Sequence, residues 1–336
     1  RLGISPKRAM EIAQVLYENA HITYMRTDST EIESTKLPSI YKKIISLYGE
    51  DFLDDKKKTA NKQTIKVQGG HPALSPTDIN KEPNFIRKEL ELVQKGKRKP
   101  ITAEEQLKIY SLIWLRTIAS QMKPARHEIT SIEFSPTSNL GLAILSYSSQ
   151  QLMFPGYLAA TKENVESKAP LKIRENDEVE FIKLIKEQHF TQPPPRYNDA
   201  SMIKTLEKKG IGRPSTYADI LSRLTERGYV TRKQKSYRPS DMGRLVSDFL
   251  NKSFEEYISD EFTSNMENDL DAVSNGTKSK KEVLDLFWSP LEEEVAKTGE
   301  KVTRRDVNPP RFLGTDPETN KPIFARMTKN GPAVQR

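Results

Sequence analysis

The sequence predicts an α+β, multidomain protein in which two mainly helical, winged-helix-like (CAP-like) domains are joined by an antiparallel β domain. Residues 15–23 and 223–231 are similar to each other, and each reads as the end of a helix that turns directly into a strand, the order found in a winged helix. Between them, apolar residues in 127–190 alternate with polar ones, as in half-buried strands. The 336 residues leave room for two or three domains of ordinary size.

Changes in composition set the predicted domain boundaries. A helical domain is expected at 1–126, an antiparallel β segment at 127–194, a second helical, winged-helix-like domain at 195–298, and a region of turns and short strands at 299–336. Three consecutive prolines at 193–195 mark the second boundary. Proline stiffens the chain and lacks the N–H that a ladder of hydrogen bonds requires, so the β segment is expected to end there.

The first domain begins with a predicted helix. Ser5 is placed as its N-cap and Pro6 in its first turn, and apolar residues recur at helical spacing up to Glu18. A strand that contains Tyr24 is expected to follow at once. A second helix is predicted at 104–122, where one face is apolar.

The remaining elements follow from the same patterns. Lysine-rich stretches at 54–68 and 95–99 lack periodicity and read as loops. Alternating apolar residues predict strands at three places: 127–134, 140–145 and 178–184. Helices are expected from Ser215 to about residue 294, and turn signals at 313–322 and 329–332 flank short strands near the end.

Composition restricts the classes of partner and of chemistry. The net charge is +8 and the pI is near 9.3, which favours a polyanionic partner. The absence of cysteine excludes disulfides, thiolate zinc sites and a cysteine nucleophile, and the 4 histidines are scattered. Because no apolar run is long enough to cross a bilayer and no signal-peptide pattern is present, we expect no membrane association and a cytoplasmic location.

Tyr24, Arg26 and Asp28 stand two residues apart, so an extended backbone would place their side chains on one face. A phenol is a useful nucleophile where a phosphodiester must later be resealed, because the aryl oxygen leaves readily and no ATP is needed. Arg26 could hold the non-bridging phosphate oxygens. An isolated Tyr-x-Arg would more often belong to a half-buried strand with a packed tyrosine and a solvated arginine.

The segment Gly-Ile-Gly-Arg-Pro-Ser-Thr at 210–216 has the form of a phosphate-contacting turn. Glycines let the backbone approach a phosphate, and the N-terminus of the following helix offers free N–H groups. Arg213 adds a cation, and Ser215 and Thr216 add hydroxyls. An ordinary helix with Ser215 as its N-cap would also explain the segment.

Two strings resemble the type IA DNA topoisomerases: Tyr-Met-Arg-Thr-Asp-Ser at 24–29 and Gly-Ile-Gly-Arg-Pro-Ser-Thr-Tyr-Ala at 210–218. Further similarity to the bacterial enzymes lies between them, at 121–125 and 189–197. The resemblance runs from the first residue to about residue 291. It implies two winged-helix-like domains, one bearing the tyrosine, as parts of the family's toroid, and the start of a C-terminal repeat after residue 298.

The resemblance also implies roles for individual residues. Tyr24 would attack one DNA strand and form a 5′-phosphotyrosyl link, and Arg26 would steady the scissile phosphate. Asp28 is grouped with the DNA-binding residues, because it could orient Arg26 or a hydroxyl, although an Asx turn would explain it as well. The single strand that leads to the tyrosine would be bound by three residues: Arg213, Ser215 and Thr216.

The segment at 69–78 resembles the family's His-Glu-Ala-Ile-Arg-Pro-Thr sequence, which lies beside the tyrosine. His71 would then transfer a proton or bind phosphate, as histidine side chains commonly do in active sites. Three residues depart from the pattern: Pro72 stands for Glu, Leu74 for Ile and Ser75 for Arg. A direct phosphate contact at position 75 is therefore not supported.

In this family the metal-binding carboxylates and a catalytic lysine come from an N-terminal Toprim domain. The resemblance thus implies Mg²⁺ for the full-length enzyme, and we predict no metal site in this chain, because Asp269 and Asp271 fall in a helical pattern where they diverge. The expected partners are single-stranded or underwound DNA and the N-terminal portion of the same polypeptide. We expect a monomeric fragment that binds DNA and relaxes little or none.

Two other functions fit the sequence less well. A tandem winged-helix regulator would prefer duplex DNA and would be indifferent to loss of the phenol. An architectural fragment without a nucleic-acid role would show no salt-dependent affinity for DNA. Within the topoisomerase interpretation, relaxing, decatenating and reverse-gyrase subtypes all remain open.

Overall fold

The computed structural model describes residues 2–54, 71–92, 101–135, 144–163, 165–183, 185–328 and 331–336. The chain divides into two compact units. Residues 9–192 form most of the first unit, and residues 193–336 together with 3–8 form the second. Among the described residues, no helix is both long enough and apolar enough to cross a membrane.

The first unit combines helices with one β-hairpin. Its elements, in chain order, are α1 (Pro6–Glu18, of which residues 6–8 belong to the second unit), α2 (Leu37–Tyr48), α3 (Pro83–Leu92), α4 (Ala103–Ser120), β1 (Arg126–Phe134), β2 (Leu145–Phe154) and α5 (Leu158–Thr161). Single 3₁₀ turns at Ser34–Lys36 and Glu50–Phe52 flank α2. Strands β1 and β2 pair antiparallel, with Ile129 opposite Gln150.

The core of the first unit lies among its helices. Leu16 of α1, Ile44 of α2, Leu90 of α3 and Ile118 of α4 are all fully buried. Each such side chain contributes about 1.5–3 kcal/mol by leaving water. Helix α4 begins with a capping box, in which Thr102 and Glu105 satisfy each other's backbone N–H groups. The first unit therefore has a helical core that can hold a site rigidly.

The second unit begins with a winged-helix arrangement. Its elements, in chain order, are α6 (Asp199–Lys209), α7 (Tyr217–Glu226), β3 (Val230–Lys233), β4 (Ser236–Pro239), α8 (Asp241–Ser253), α9 (Glu255–Ile258), α10 (Asp260–Ser274), α11 (Lys280–Lys301), α12 (Arg304–Val307), β5 (Arg311–Thr315), β6 (Pro322–Thr328) and β7 (Gly331–Gln335). Strands β3 and β4 form an antiparallel hairpin, and β5, β6 and β7 form an antiparallel sheet in chain order.

The predicted class, helices combined with small antiparallel sheets, is confirmed. The first helix spans Pro6–Glu18 as expected, and Ser5 caps it by accepting a hydrogen bond from the Arg8 N–H at 3.2 Å. The helix predicted at 104–122 is α4. The wing predicted after α7 is the β3–β4 hairpin. In these segments local periodicity and tertiary packing favour the same structure, so the sequence pattern was sufficient.

The strand predicted at Tyr24 was wrong. Only Ile22 forms a β-bridge, to Pro76, and the chain bends at Met25 and Arg26. The Ser75 N–H donates to the Thr23 hydroxyl at 2.9 Å instead of to a backbone carbonyl, so the ladder cannot continue. The two similar helix-to-strand segments thus differ, because within the described residues only the second one forms a wing.

The strand predicted at 178–184 is also absent from its described part, 178–183. Phe181 and Ile182 are 67% and 86% exposed there. An alternating pattern becomes a strand only where another backbone offers hydrogen bonds, and none of the described residues pairs with this stretch. Residues 55–68 of the loop predicted at 54–68, the loop predicted at 95–99 and most of the strand predicted at 140–145 lie outside the described residues.

Candidate functional site

The candidate site of the first unit is centred on Tyr24, which is half-buried just after the end of α1. Its ring contacts Tyr17 of α1, with ring centroids 5.3 Å apart, and His71, with centroids 5.1 Å apart and planes tilted by 48°. Ala20 adopts a left-handed conformation with φ 56° and turns the chain away from the helix. The phenol is therefore held between a helix end and a histidine that is distant in sequence.

A second segment, residues 71–77, lies against the tyrosine segment and brings His71 to it. Its backbone is attached by three hydrogen bonds: Thr23 N–H to the Ser75 carbonyl at 2.9 Å, Ala73 N–H to the Glu31 carbonyl at 2.7 Å and Thr77 N–H to the His21 carbonyl at 3.1 Å. The Thr77 hydroxyl adds a bond to the Ala20 carbonyl at 2.6 Å. These contacts fix the histidine relative to the tyrosine.

Helix α4 supports the same segment from behind. The Trp114 indole donates to the Ile79 carbonyl at 2.9 Å, and the Tyr110 hydroxyl donates to the Lys81 carbonyl at 2.6 Å. Burial raises the pKa of Tyr110 well above its ordinary value, so this hydroxyl stays protonated and remains a donor. The position of His71 thus depends on a core helix as well as on its own loop.

The structure does not place Tyr24, Arg26 and Asp28 on one face of a strand, because the backbone is bent between them. Arg26 is exposed to solvent, and Asp28 is half-buried. An exposed guanidinium next to the tyrosine can reach a phosphate without first breaking a buried contact. The phosphate contact expected of Arg26 is therefore compatible with the bend. The extended backbone from which that contact was predicted is absent.

Lys36 is a neighbour of the site that the sequence analysis missed. Its ammonium donates to the Ser75 hydroxyl at 3.4 Å and to the Pro76 carbonyl at 3.2 Å, and its side chain is 20% exposed. Burial lowers its pKa, while Glu33 at 4.0 Å acts in the opposite direction. The Lys36 ammonium thus lies at Ser75, the position at which the family sequence resembled by residues 69–78 has arginine. The departure at Ser75 was the only signal in the sequence.

His21 is buried beneath the same segment. Desolvation lowers the pKa of its imidazole, and this effect outweighs the opposing influence of Glu89, whose carboxylate lies 4.0 Å away. The neutral imidazole is 7% exposed. We therefore assign His21 to the packing beneath the site.

The predicted phosphate-contacting turn lies in the second unit, between α6 and α7. Gly210 and Gly212 both have positive φ, 69° and 77°, which favours glycine at these positions. The Thr216 hydroxyl accepts from the Arg213 N–H at 2.9 Å and donates to the Arg213 carbonyl at 3.1 Å. The turn is therefore closed by its own side chains.

The positive charge of Arg213 is paired with carboxylates of α10. Its guanidinium donates to Asp271 of α10 at 2.8 Å and to the Gly212 carbonyl at 2.8 Å, and it lies 3.6 Å from Glu267. The side chain is only 18% exposed. Two carboxylates one helical turn apart thus compensate its charge. This arrangement favours a role in holding the turn, and the two acidic partners were missed because no local pattern links them to residue 213.

Ser215 and Thr216 are exposed on the turn. Helix α7 begins at Tyr217 with Thr216 as its N-cap, and no side chain caps this end by a hydrogen bond. The alternative in which Ser215 is an ordinary N-cap was therefore wrong. At this end the Thr216 and Tyr217 N–H groups donate to the Arg213 carbonyl at 2.8 and 3.2 Å, so an anion would meet the exposed Ser215 hydroxyl and the positive end of the α7 dipole.

The described residues contain no group of three or more His, Cys, Asp or Glu side chains that could hold a metal ion. Asp269 and Asp271 lie on α10, and Asp271 is bonded to Arg213. The residues that the structure describes therefore do not fit a Mg²⁺ site.

The chain is similar to known proteins in both sequence and structure. The model of a DNA topoisomerase family matches residues 1–285. DNA topoisomerase 1 of Xylella fastidiosa (strain Temecula1) is 34% identical over 355 aligned positions that cover 100% of this chain and 42% of that protein. The homologous enzyme of Mycobacterium leprae is 31% identical over 361 positions, which cover 100% of this chain and 37% of that protein.

A solved structure is similar over the whole chain. Full-length topoisomerase I from Thermotoga maritima matches with a TM-score of 0.76 and 29% identity, covering 100% of this chain and 53% of that one. The chain thus spans less than half the length of these two curated relatives. The match of the family model over most of the chain, together with these relatives, shows that the chain belongs to the bacterial type IA DNA topoisomerase family.

Proposed function

We propose that this chain is the strand-cleaving and strand-binding part of a topoisomerase that relaxes negatively supercoiled DNA without ATP. Tyr24 cleaves one strand, the other strand passes through the break, and the first strand is resealed. The observation that carries this proposal is the contact of Tyr24 with His71 next to the exposed Arg26. The function belongs to the bacterial cytoplasm, where the chromosome is found.

The chemical step is a transesterification at phosphorus. The Tyr24 oxygen loses its proton and attacks the phosphate, a bond forms between that oxygen and the 5′ phosphate, and the bond to the 3′ oxygen breaks. The 3′ oxygen leaves as a hydroxyl after gaining a proton. Resealing reverses each step, and because the energy of the phosphodiester is kept in the tyrosyl link, no ATP is needed.

His71 and Arg26 would assist at this centre. The exposed imidazole of His71 can take or return the proton, a role that contributes about 10²–10⁴-fold where the geometry is favourable. Arg26 can bind the non-bridging oxygens of the scissile phosphate by charge-assisted hydrogen bonds. Asp28 can orient a neighbouring group in the DNA-binding segment.

The turn of the second unit would bind single-stranded DNA. The exposed Ser215 hydroxyl and the positive end of the α7 dipole can bind a backbone phosphate, and Thr216, exposed beside them, shapes the turn through its bonds to Arg213. Arg213 contributes by fixing the turn through Asp271 and Glu267. We expect the chain alone to bind single-stranded DNA as a monomer and to relax none, because the family's metal-binding carboxylates belong to a separate Toprim domain.

The decisive experiment uses the full-length parent protein and a labelled single-stranded oligonucleotide. Denaturing electrophoresis and mass spectrometry should find a covalent adduct on Tyr24, and Tyr24→Phe should abolish it. Tyr17→Phe is the matched control and should retain the adduct, since it removes a neighbouring phenol and keeps the ring. An adduct on another residue, or none with the unaltered protein, would refute the proposal.

Binding separates this proposal from the duplex regulator. Fluorescence anisotropy of the chain with a single strand and with the matching duplex, across a salt series, should show salt-dependent binding of the single strand. Ser215→Glu places a negative charge on the turn and should weaken that binding. Binding of duplex alone would favour the regulator.

A further inference from the structure

The wing, defined as β3, β4 and the turn between them (residues 230–239), has two chemically different faces. Residues directly opposite each other in an antiparallel hairpin point to the same side, and successive pairs point to opposite sides. On the inner face, Arg232 lies opposite Tyr237. The outer face carries two pairs: Thr231 with Arg238, and Lys233 with Ser236.

The inner face is anchored to α6. The Arg232 guanidinium and the Tyr237 hydroxyl both bond to the carboxylate of Asp199, and Arg232 lies 5.4 Å from the centre of the Tyr237 ring. Tyr237 is 6% exposed. Burial and its contact with Asp199 raise the pKa of this tyrosine, so it remains a neutral donor. The charge of Arg232 is compensated, and the ring of Tyr237 cannot stack on a base.

The outer face and the tip of the wing carry exposed, positively charged side chains. Lys233 and Arg238 are exposed on it, and Lys235 is exposed at the tip. Gln234 and Lys235 have positive φ, 49° and 66°, as in the tight two-residue turns that join hairpin strands. Within the described part of the chain, none of these three cations forms an ion pair, whereas Arg232 on the other face does.

Strand separation fixes the spacing of these charges. Lys233 and Arg238 lie on adjacent strands of a narrow ribbon, because paired strands are about 4.8 Å apart. A two-stranded ribbon of this kind fits the major groove of B-DNA and can reach the phosphates at its edge. Surfaces that bind single strands commonly add exposed aromatic rings on which bases stack, and the outer face has none. Its chemistry therefore suits a duplex.

We propose that the outer face of the wing is a second DNA-binding surface, which binds the phosphate backbone of duplex DNA through Lys233, Lys235 and Arg238. This surface is separate from the single-strand site proposed at Ser215 and Thr216. It does not depend on the chemistry at Tyr24. A protein that acts on underwound DNA meets duplex next to single strand, and this wing would hold the duplex part.

The test compares the chain with a double variant, Lys233→Thr/Arg238→Thr, which removes two charges and keeps residues that favour strands. Lys280→Ala/Lys281→Ala is the matched control, because it removes two exposed lysines from the start of α11. Anisotropy is measured with a duplex, a single strand and a duplex bearing a single-stranded tail, each across a salt series. Thermal unfolding of the variants verifies that they fold.

The wing variant should bind the duplex about tenfold more weakly, and the slope of log affinity against log salt should fall by about 1.8, or about 0.9 for each lost phosphate contact. Its affinity for the single strand should change less than about twofold, and the control should bind like the unaltered chain. Equal losses on both DNA forms, or no loss on either, would overturn the proposal. If the unaltered chain does not bind the single strand and the wing variant still loses duplex binding, the proposal for the wing is upheld and the proposed single-strand site is refuted.

Discussion

Arg213 donates a hydrogen bond to Asp271 across 58 residues of sequence, at 2.8 Å, and this ion pair closes the glycine turn onto α10. Both side chains are about four-fifths buried, so neither carboxylate nor guanidinium is well solvated without the other. Removing one partner leaves a partly buried charge that is uncompensated. The turn and α10 are therefore expected to unfold together.

A double-mutant cycle tests this pair. Arg213→Ala and Asp271→Ala should each destabilise the second unit by about 1–3 kcal/mol, because a charged hydrogen bond is lost and its partner is left behind. The double variant should lose less than the sum, with a coupling energy of about 0.5–3 kcal/mol. Urea unfolding followed by circular dichroism measures all three. Strict additivity would show that the two side chains act independently.

Tyr24→Phe and His71→Ala should separate chemistry from folding. The phenylalanine variant keeps the ring contacts with Tyr17 and His71, so its unfolding midpoint should change little while cleavage disappears. His71→Ala should retain Tyr24-linked adducts but form them about 10²-fold more slowly, the lower end of what a proton-transferring group contributes. Single-turnover cleavage by the full-length parent gives the rates. An unchanged rate in His71→Ala would remove the histidine from the mechanism.

The burial of His21 should make the stability of the first unit sensitive to acid. Burial lowers its pKa in the folded state below the ordinary 6.5, so the unfolded chain binds a proton more readily. Its contribution to stability is therefore complete above about pH 6.5 and is lost as the pH falls toward the folded-state pKa. His21→Met should flatten the decline of unfolding free energy between about pH 7 and 5. An identical decline in both proteins would assign the acid sensitivity to other groups.

Gly243 and Gly299 make a matched pair of helical glycines. A Cβ at Gly243, in the first turn of α8, would lie 2.0 Å from the carbonyl oxygen of Tyr229, whereas a Cβ at Gly299 in α11 meets nothing within 4 Å. Gly243→Ala should cost several kcal/mol, because backbone must move to admit the methyl group. Gly299→Ala should stabilise α11 by up to about 1 kcal/mol. Thermal unfolding of each single variant checks both directions, and a neutral Gly243→Ala would mean that α8 can shift away from Tyr229.

Sequence similarity predicted roles for Tyr24 and His71 and placed their two segments side by side, but it did not predict the backbone bend after Tyr24 or the packing of the two rings. The family pattern pointed to both residues, and helical periodicity placed α1 and α4 correctly. The strand through Tyr24 failed because a single side-chain bond, Ser75 N–H to Thr23, ends the ladder. Competition between a hydroxyl and a backbone carbonyl for one N–H is decided by three-dimensional contacts, which periodicity does not encode.

The sequence by itself determined the family, the mixed helical and antiparallel class, the helices α1 and α4, and the wing after α7. Periodicity and turn residues act over a few neighbouring positions, and they are read directly from the chain. Only the tertiary structure decided how the His71 ring packs on Tyr24, that Lys36 reaches Ser75, and that Arg213 is bound by Asp271. Each of these contacts joins residues 39 to 58 positions apart, and it exists because packed helices, rather than local propensity, bring the two side chains together.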